Sequence, residues 1–146
     1  MTDRNKVFFR IEQDEDGYPG IASESVWAEV TPEGAVFRLD NIPFFATSAT
    51  LGDVVRTRTE DGHFWFEAIV QPSGRSLFRV VFFDIQAKDR VNRELVELGC
   101  QTEYLEQHHL LAVSIPDSVT VPAVQHYLEQ ESATGSIDYE EAILRD

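Results

Sequence analysis

LFRVVFFDIQAKDRVNRELVELG, residues 77–99, decides the fold, because the spacing of its apolar residues changes within one short span. Leu77–Phe83 is a nearly unbroken apolar run, which reads as a strand covered on both faces. From about Ala87 the apolar positions Val91, Leu95 and Leu98 recur at helical spacing, with Asp84 placed to cap the helix and Gly99 to end it. Further along, CQTEYLEQ and HLLAVSIP read as two strands joined at His108-His109. Ser118 or Thr120 then caps a second helix, with Pro122 in its first turn and Val121, Val124 and Leu128 facing inward. The closing GSIDYEEAIL suits a strand by its alternation and a helix by the spacing of Ile137, Glu141 and Leu144. With a final strand, residues 77–146 form a ferredoxin-like βαββαβ unit.

Residues before the decisive stretch follow a different period. KVFFRIE, SVWAEV, AVFRLD, DVVRTRT and HFWFEAIV alternate apolar and polar residues, separated by DEDGYPG, TPEG and Glu60-Asp61-Gly62. Five short strands with small turns predict a strongly bent antiparallel sheet or a half-open barrel over residues 1–76. The fold class expected is therefore α+β, with two modules, 1–76 and 77–146, packed as one body.

The charge is lopsided. The 146 residues carry 26 acids against 12 lysines and arginines, a formal net of −14. From Glu94 to Asp146 there are eleven acids and one base, Arg145. Such a field repels phosphate backbones and anionic membranes and steers basic partners in. The first helix adds a detail: Lys88, Arg90 and Arg93 lie toward its N-terminus and Glu94 and Glu97 toward its C-terminus. The helix dipole disfavours that order by about 0.3–1 kcal/mol per charge. The order therefore reads as selection for a negative surface rather than for stability.

Elsewhere the chemistry is sparse. The N-terminus lacks a signal peptide's apolar stretch, and no apolar run is long enough to span a membrane, so a cytoplasmic location is expected. Cys100 alone forms no internal disulfide and reads as a buried thiol. His63, His108, His109 and His126 lack metal-ligand spacing, so no metal and no cofactor is expected. No phosphate loop, nucleophile elbow or recognisable carboxylate pair is present, which argues against an enzyme. Arg38, Arg56 and Arg58 beside Phe64 and Trp65 hint at nucleic acid, but acids on the same strands (Glu60, Asp61 and Glu67, with Asp40 close by) pair them more simply.

One loop stands apart. In RLDNIPFFA, residues 38–46, Pro43 ends a strand, Asn41 is suited to bond the turn, and Phe44 and Phe45 point opposite ways on an extended segment. The loop reads as a plug, with one phenylalanine inside and the other covering the rim; an exposed aromatic anchor is the rival reading. Together with ESVWAEV, LGDVV, PSG, LGC, LLAVSIP and GSIDYEEA, the run LDNIPFFA resembles an uncharacterised bacterial family of unknown function, over about Lys6 to Leu144. In that family PSG is usually followed by His, where this chain has Arg75. The resemblance implies a small soluble bacterial protein similar in kind to immunity proteins, the antidotes of secreted toxins.

These readings point to a binding protein whose acidic C-terminal surface holds a basic protein partner. The expected surface comprises Glu103, Glu106, Tyr127, Glu129, Glu131, Asp138, Tyr139, Glu140 and Glu141. The alternative is a small-molecule sensor or enzyme with a crevice between the modules, lined by Asp40, Asn41, Phe45 and Arg75.

Overall fold

A computed structural model describes residues 4–145. The chain divides into two compact units between Ser73 and Gly74, and the fold class is α+β.

In the first unit the strands β1 (Arg4–Arg10), β2 (Ser23–Val30), β3 (Val36–Leu39), β4 (Val54–Glu60) and β5 (His63–Gln71) follow one another antiparallel. β1 and β5 then pair in parallel at Val7–Phe64 and Phe8–Trp65, which closes the barrel. The expected half-open sheet is thus fully closed, which removes its two edges. Alternate residues fill the interior: Val7 and Phe9, Val26 and Ala28, Phe37 and Leu39, and Val55 are buried together. Asp61 (φ 53°) and Gly62 (φ 78°) make the tight β4–β5 turn, a left-handed pair that matches the strand twist.

On the outside, Arg56 pairs with Glu67 (3.4 Å) and Arg58 with Glu60 (3.2 Å), as the strand acids suggested. Arg4 and Lys6 both lie 5.2 Å from the centre of the Trp27 ring, and Arg10 lies 4.3 Å from that of Trp65. Arg4, Lys6, Arg10, Arg56 and Arg58 thus each meet a neighbour within the barrel wall.

The second unit begins with β6 (Ser76–Phe82), followed by a 3₁₀ turn (Ile85–Ala87) and α1 (Lys88–Glu97). Then come β7 (Gln101–Leu105), a 3₁₀ turn (Glu106–His108), β8 (Leu110–Ile115), α2 (Val121–Ala133) and β9 (Ile137–Ile143). The ambiguous tail is a strand. The sheet order is β7-β8-β6-β9, antiparallel throughout. Phe78, Val80 and Phe82 pack with Val91, Leu95, Val124 and Leu128, so both helices cover one face.

Asp84 accepts a hydrogen bond from the Gln86 amide, capping the 3₁₀ turn ahead of α1 rather than the helix itself. Thr120 sits at the N-cap of α2 without a side-chain cap bond. Leu98, expected on the apolar face, is 37% exposed: the helix has ended, and Leu98 serves as its C-cap.

Candidate functional site

The loop after β3 is the most heavily tied stretch of the barrel. Glu24 projects from β2, and its carboxylate accepts three successive amides: Phe44 (2.6 Å), Phe45 (3.0 Å) and Ala46 (2.9 Å). Consecutive N–H groups turned to one side form a concave anion nest, and here the anion is internal. Asn41 accepts from the Trp27 amide (2.8 Å), so its side chain bonds the neighbouring strand β2 rather than its own turn. Buried Asp53 accepts from Thr50 (3.0 Å) and Ser73 (2.8 Å).

Within residues 40–46, Ala46, and neither phenylalanine, joins the barrel core. Ile42, Pro43 and Ala46 are buried, while Phe44 and Phe45 are both half-buried. Phe45 meets Tyr18 edge-on, with ring centres 6.3 Å apart. The three bonds to Glu24 fix the backbone of the segment that carries both aromatics.

The residues named for a ligand crevice have partners in their own units. Asp40 pairs with Arg4 (3.0 Å), Asn41 with Trp27 and Phe45 with Glu24, all in the barrel unit. Arg75, in the second unit, donates to Ser114 (3.2 Å).

The acidic residues of the second unit separate into three groups. Glu103 and Glu106 lie on β7 and the turn after it, at the sheet edge opposite β9. Three strand spacings, about 14 Å, separate those two edges.

The second group joins the helices. Arg90 of α1 grips Glu131 of α2 with two hydrogen bonds (2.6 and 2.9 Å), and Tyr127 of α2 donates to Glu94 of α1. Arg90 meeting Glu131 and Glu94 meeting Tyr127 makes the helices antiparallel. The basic start of α1 therefore lies beside the acidic end of α2. Two of the charges that run against the dipole of α1, Arg90 and Glu94, thus find partners on α2. Glu131 and Tyr127 belong to this clasp, and Arg90 holds the Glu131 carboxyl below its ordinary range.

The third group lies where the second half of α2 meets β9. In β9, Ile137, Tyr139 and Glu141 face the helices, opposite Phe82, Val80 and Phe78, while Asp138 and Glu140 face the other way. Tyr139 donates to Glu129 (3.0 Å), and Glu141 accepts the Gln125 amide at 2.9 and 3.1 Å. Glu140 lies 3.5 Å from Arg79. Among the described residues, no cation lies within ion-pair distance of Glu129, Asp138 or Glu141. Of the nine residues read from the sequence, Glu129, Tyr139 and Glu141 come together here, while Asp138 and Glu140 lie on the opposite face of the same edge strand.

Burial and the bond to Glu129 push the Tyr139 phenol up to about 12, and burial with the bond to Glu94 raises Tyr127 as well. A raised phenol pKa adds stability that is complete below the unfolded value, about 10, and is lost as pH rises through the folded value. Spectrophotometric titration of the folded chain should therefore show Tyr127 and Tyr139 ionising late. Four tyrosines titrating together near the ordinary value would contradict both hydrogen bonds.

Two further expectations concern reactive groups. Cys100 is buried, and desolvation pushes its thiol up to about 11. Among the described residues, no group of three or more His, Cys, Asp or Glu is placed to hold a metal ion. No described helix is long and apolar enough to cross a membrane.

Comparison with known proteins adds a fold and a family. A crystal structure of a hypothetical protein from Neisseria gonorrhoeae has a similar fold, with a TM-score of 0.83 over 100% of this chain and 99% of that one, at 23% sequence identity. No curated protein matches the chain. The model of a domain of unknown function, DUF4265, matches residues 24–139, a span that runs from the Glu24 clamp through the plug loop and both helices to Tyr139. The chain belongs to the DUF4265 family.

Proposed function

We propose that this chain is a non-enzymatic binding protein that holds a basic protein partner against the β9 edge of its second unit, where acids from both faces of the strand and from α2 converge. In its most concrete form it is a cytoplasmic immunity protein that neutralises a cationic toxin, such as a nuclease, by occupying the groove meant for phosphate. The observation that carries the reading is the set of carboxylates on Glu129, Asp138 and Glu141 without a cation in reach among the described residues. Uncompensated surface charge costs self-repulsion, and an oppositely charged surface relieves it while speeding association. A ferredoxin-like arrangement of the second unit is part of the proposal. It is supported by the β–α–β–β–α–β order and by a sheet in which β6 and β8 are central and β7 and β9 are the edges.

The test is co-expression with the products of the flanking genes, followed by pull-down at low and high salt. The variant carries lysine at 129, 138, 140 and 141, and leaves Glu131 in place because reversing it would break the helix clasp. A basic protein retained by the wild type at low salt, released by high salt and lost by the variant is the expected result. Equal retention by both proteins at low salt would refute the acidic face as the working surface.

A further inference from the structure

Two features that do not depend on charge lie beside the acidic face. The first is a strand edge. β9 pairs with β6 alone, and among the described residues no other main chain bonds to Ile137–Ile143. Alternate residues of β9 therefore turn their N–H and C=O groups outward; one of them, the Tyr139 N–H, is held by the neighbouring Asp138 carboxylate (2.9 Å), a contact that an incoming strand displaces. The second is a cleft of about 670 Å³, within the range of ligand and anchor pockets. Its walls are largely apolar, from Ile115, Val119, Val121, Pro122 and Leu144, with Gln125 at its border.

The cleft and the strand are contiguous. Leu144, which is 49% exposed, directly follows β9. Ser76 pins the next residue by accepting from the Arg145 amide (2.8 Å) and donating to its carbonyl (2.9 Å). Gln125 lines the cleft and also donates to Glu141 of β9.

We propose, resting on the reading above, that the partner docks here through an extended basic segment that adds to β9 as a fifth strand and seats an apolar side chain in the cleft. Added strands gain affinity from main-chain bonds and specificity from alternate side chains. Directly opposed residues on paired strands lie about 4.5–5.5 Å apart, close enough for Lys or Arg of the incoming strand to reach Asp138 and Glu140. The same carboxylates exclude a second copy of this chain. Pairing β9 with itself about Glu140 sets Glu140 against Glu140, and pairing it about Tyr139 sets Asp138 against Glu140. Like charges placed directly opposite destabilise a sheet. The edge is thus closed to itself and open to a strand of opposite charge, while the cleft supplies the desolvated anchor point that charge alone lacks.

The experiment measures binding of a dye-labelled, end-blocked peptide in which lysines alternate with valines and a leucine closes one end. Fluorescence anisotropy reads its affinity for the whole chain. The lysine peptide should bind, and the same peptide with glutamates should not. N-methylating the amides on one of the two edges of the peptide should weaken binding at least about tenfold while the other edge tolerates it, and Leu144→Glu in the protein should weaken binding by at least as much. Leu144 is half-exposed, so that variant is expected to fold, and its circular dichroism checks the point.

If both N-methylated peptides bound like the parent, strand addition would be overturned; an unchanged Leu144→Glu would overturn the anchor. Failure of the lysine peptide to bind, beside a partner still captured in a charge-dependent way, would sink this inference and leave the acidic-face reading standing. Loss of the charge dependence in the pull-down would sink both.

Discussion

Replacing Glu24 with alanine should destabilise the barrel by about 2–4 kcal/mol, because three amides lose their acceptor at once. Hydrogen bonds to a charged acceptor contribute about 1.5–3 kcal/mol each, and a buried donor left unsatisfied costs a similar amount. Water reaches part of this half-buried loop, so the three losses do not add in full. Glu24→Gln should cost less, since an amide keeps one oxygen that can accept. Urea unfolding followed by tryptophan fluorescence is the measurement: the chain has two tryptophans, Trp27 on β2 and Trp65 on β5, and both report on the barrel. An unchanged midpoint and slope for Glu24→Ala would mean that Ile42, Pro43 and Ala46 hold the plug without the clamp.

The clamp also shows where sequence reading runs out. The alternation of β1 to β5, the Asp61-Gly62 turn and the helix-ending Gly99 are local signals, and each names its element. Closure of the barrel is not local. It rests on a short parallel pairing between the first strand and the fifth, at Val7–Phe64 and Phe8–Trp65, which no turn chemistry announces. Glu24 looks like any strand-edge acid in SESVWAEV, and its three amides lie twenty or more residues away. Phe44 and Phe45 draw attention because they are large, yet among residues 40–46 it is the smaller Ala46 that joins the barrel core.

The acidic surface was legible in the same partial way. Composition identified the acids, but sheet order decided their grouping. Since β7 and β9 are opposite edges, Glu103 and Glu106 stand apart from Asp138, Glu140 and Glu141 although all lie in the same third of the sequence. The open edge and the cleft had no sequence signal of their own. An edge strand and a central strand of similar length differ only in their neighbours, and the cleft joins the stretch from Ile115 into α2 with Leu144, which lies beyond all of α2 and β9.

The helix clasp gives the second large effect. Arg90→Ala should cost about 2 kcal/mol, because it strands Glu131, whose side chain is 14% exposed, beside Glu94 with no cation between them. Arg90 itself is 43% exposed, and solvent screening keeps the loss below that of a fully buried pair. Arg90→Lys should recover only part, since an ammonium cannot reproduce the two parallel bonds at 2.6 and 2.9 Å. A double-mutant cycle with Glu131→Ala isolates the pair, and a coupling of about 1 kcal/mol or more is expected.

The pH dependence has a definite sign. The hydrogen bond from Arg90 lowers the folded pKa of Glu131, so its contribution is present above the unfolded value of about 4.3. That contribution is lost as pH falls through the lower, folded value. Thermal unfolding read by circular dichroism should therefore show the wild type losing its advantage over Glu131→Gln as the solution is acidified. If the gap between the two melting temperatures stayed constant from neutral to strongly acid pH, the clasp would contribute shape but not charge. The antiparallel helices would then owe their pairing to the core packing of Val91, Leu95, Val124 and Leu128 alone.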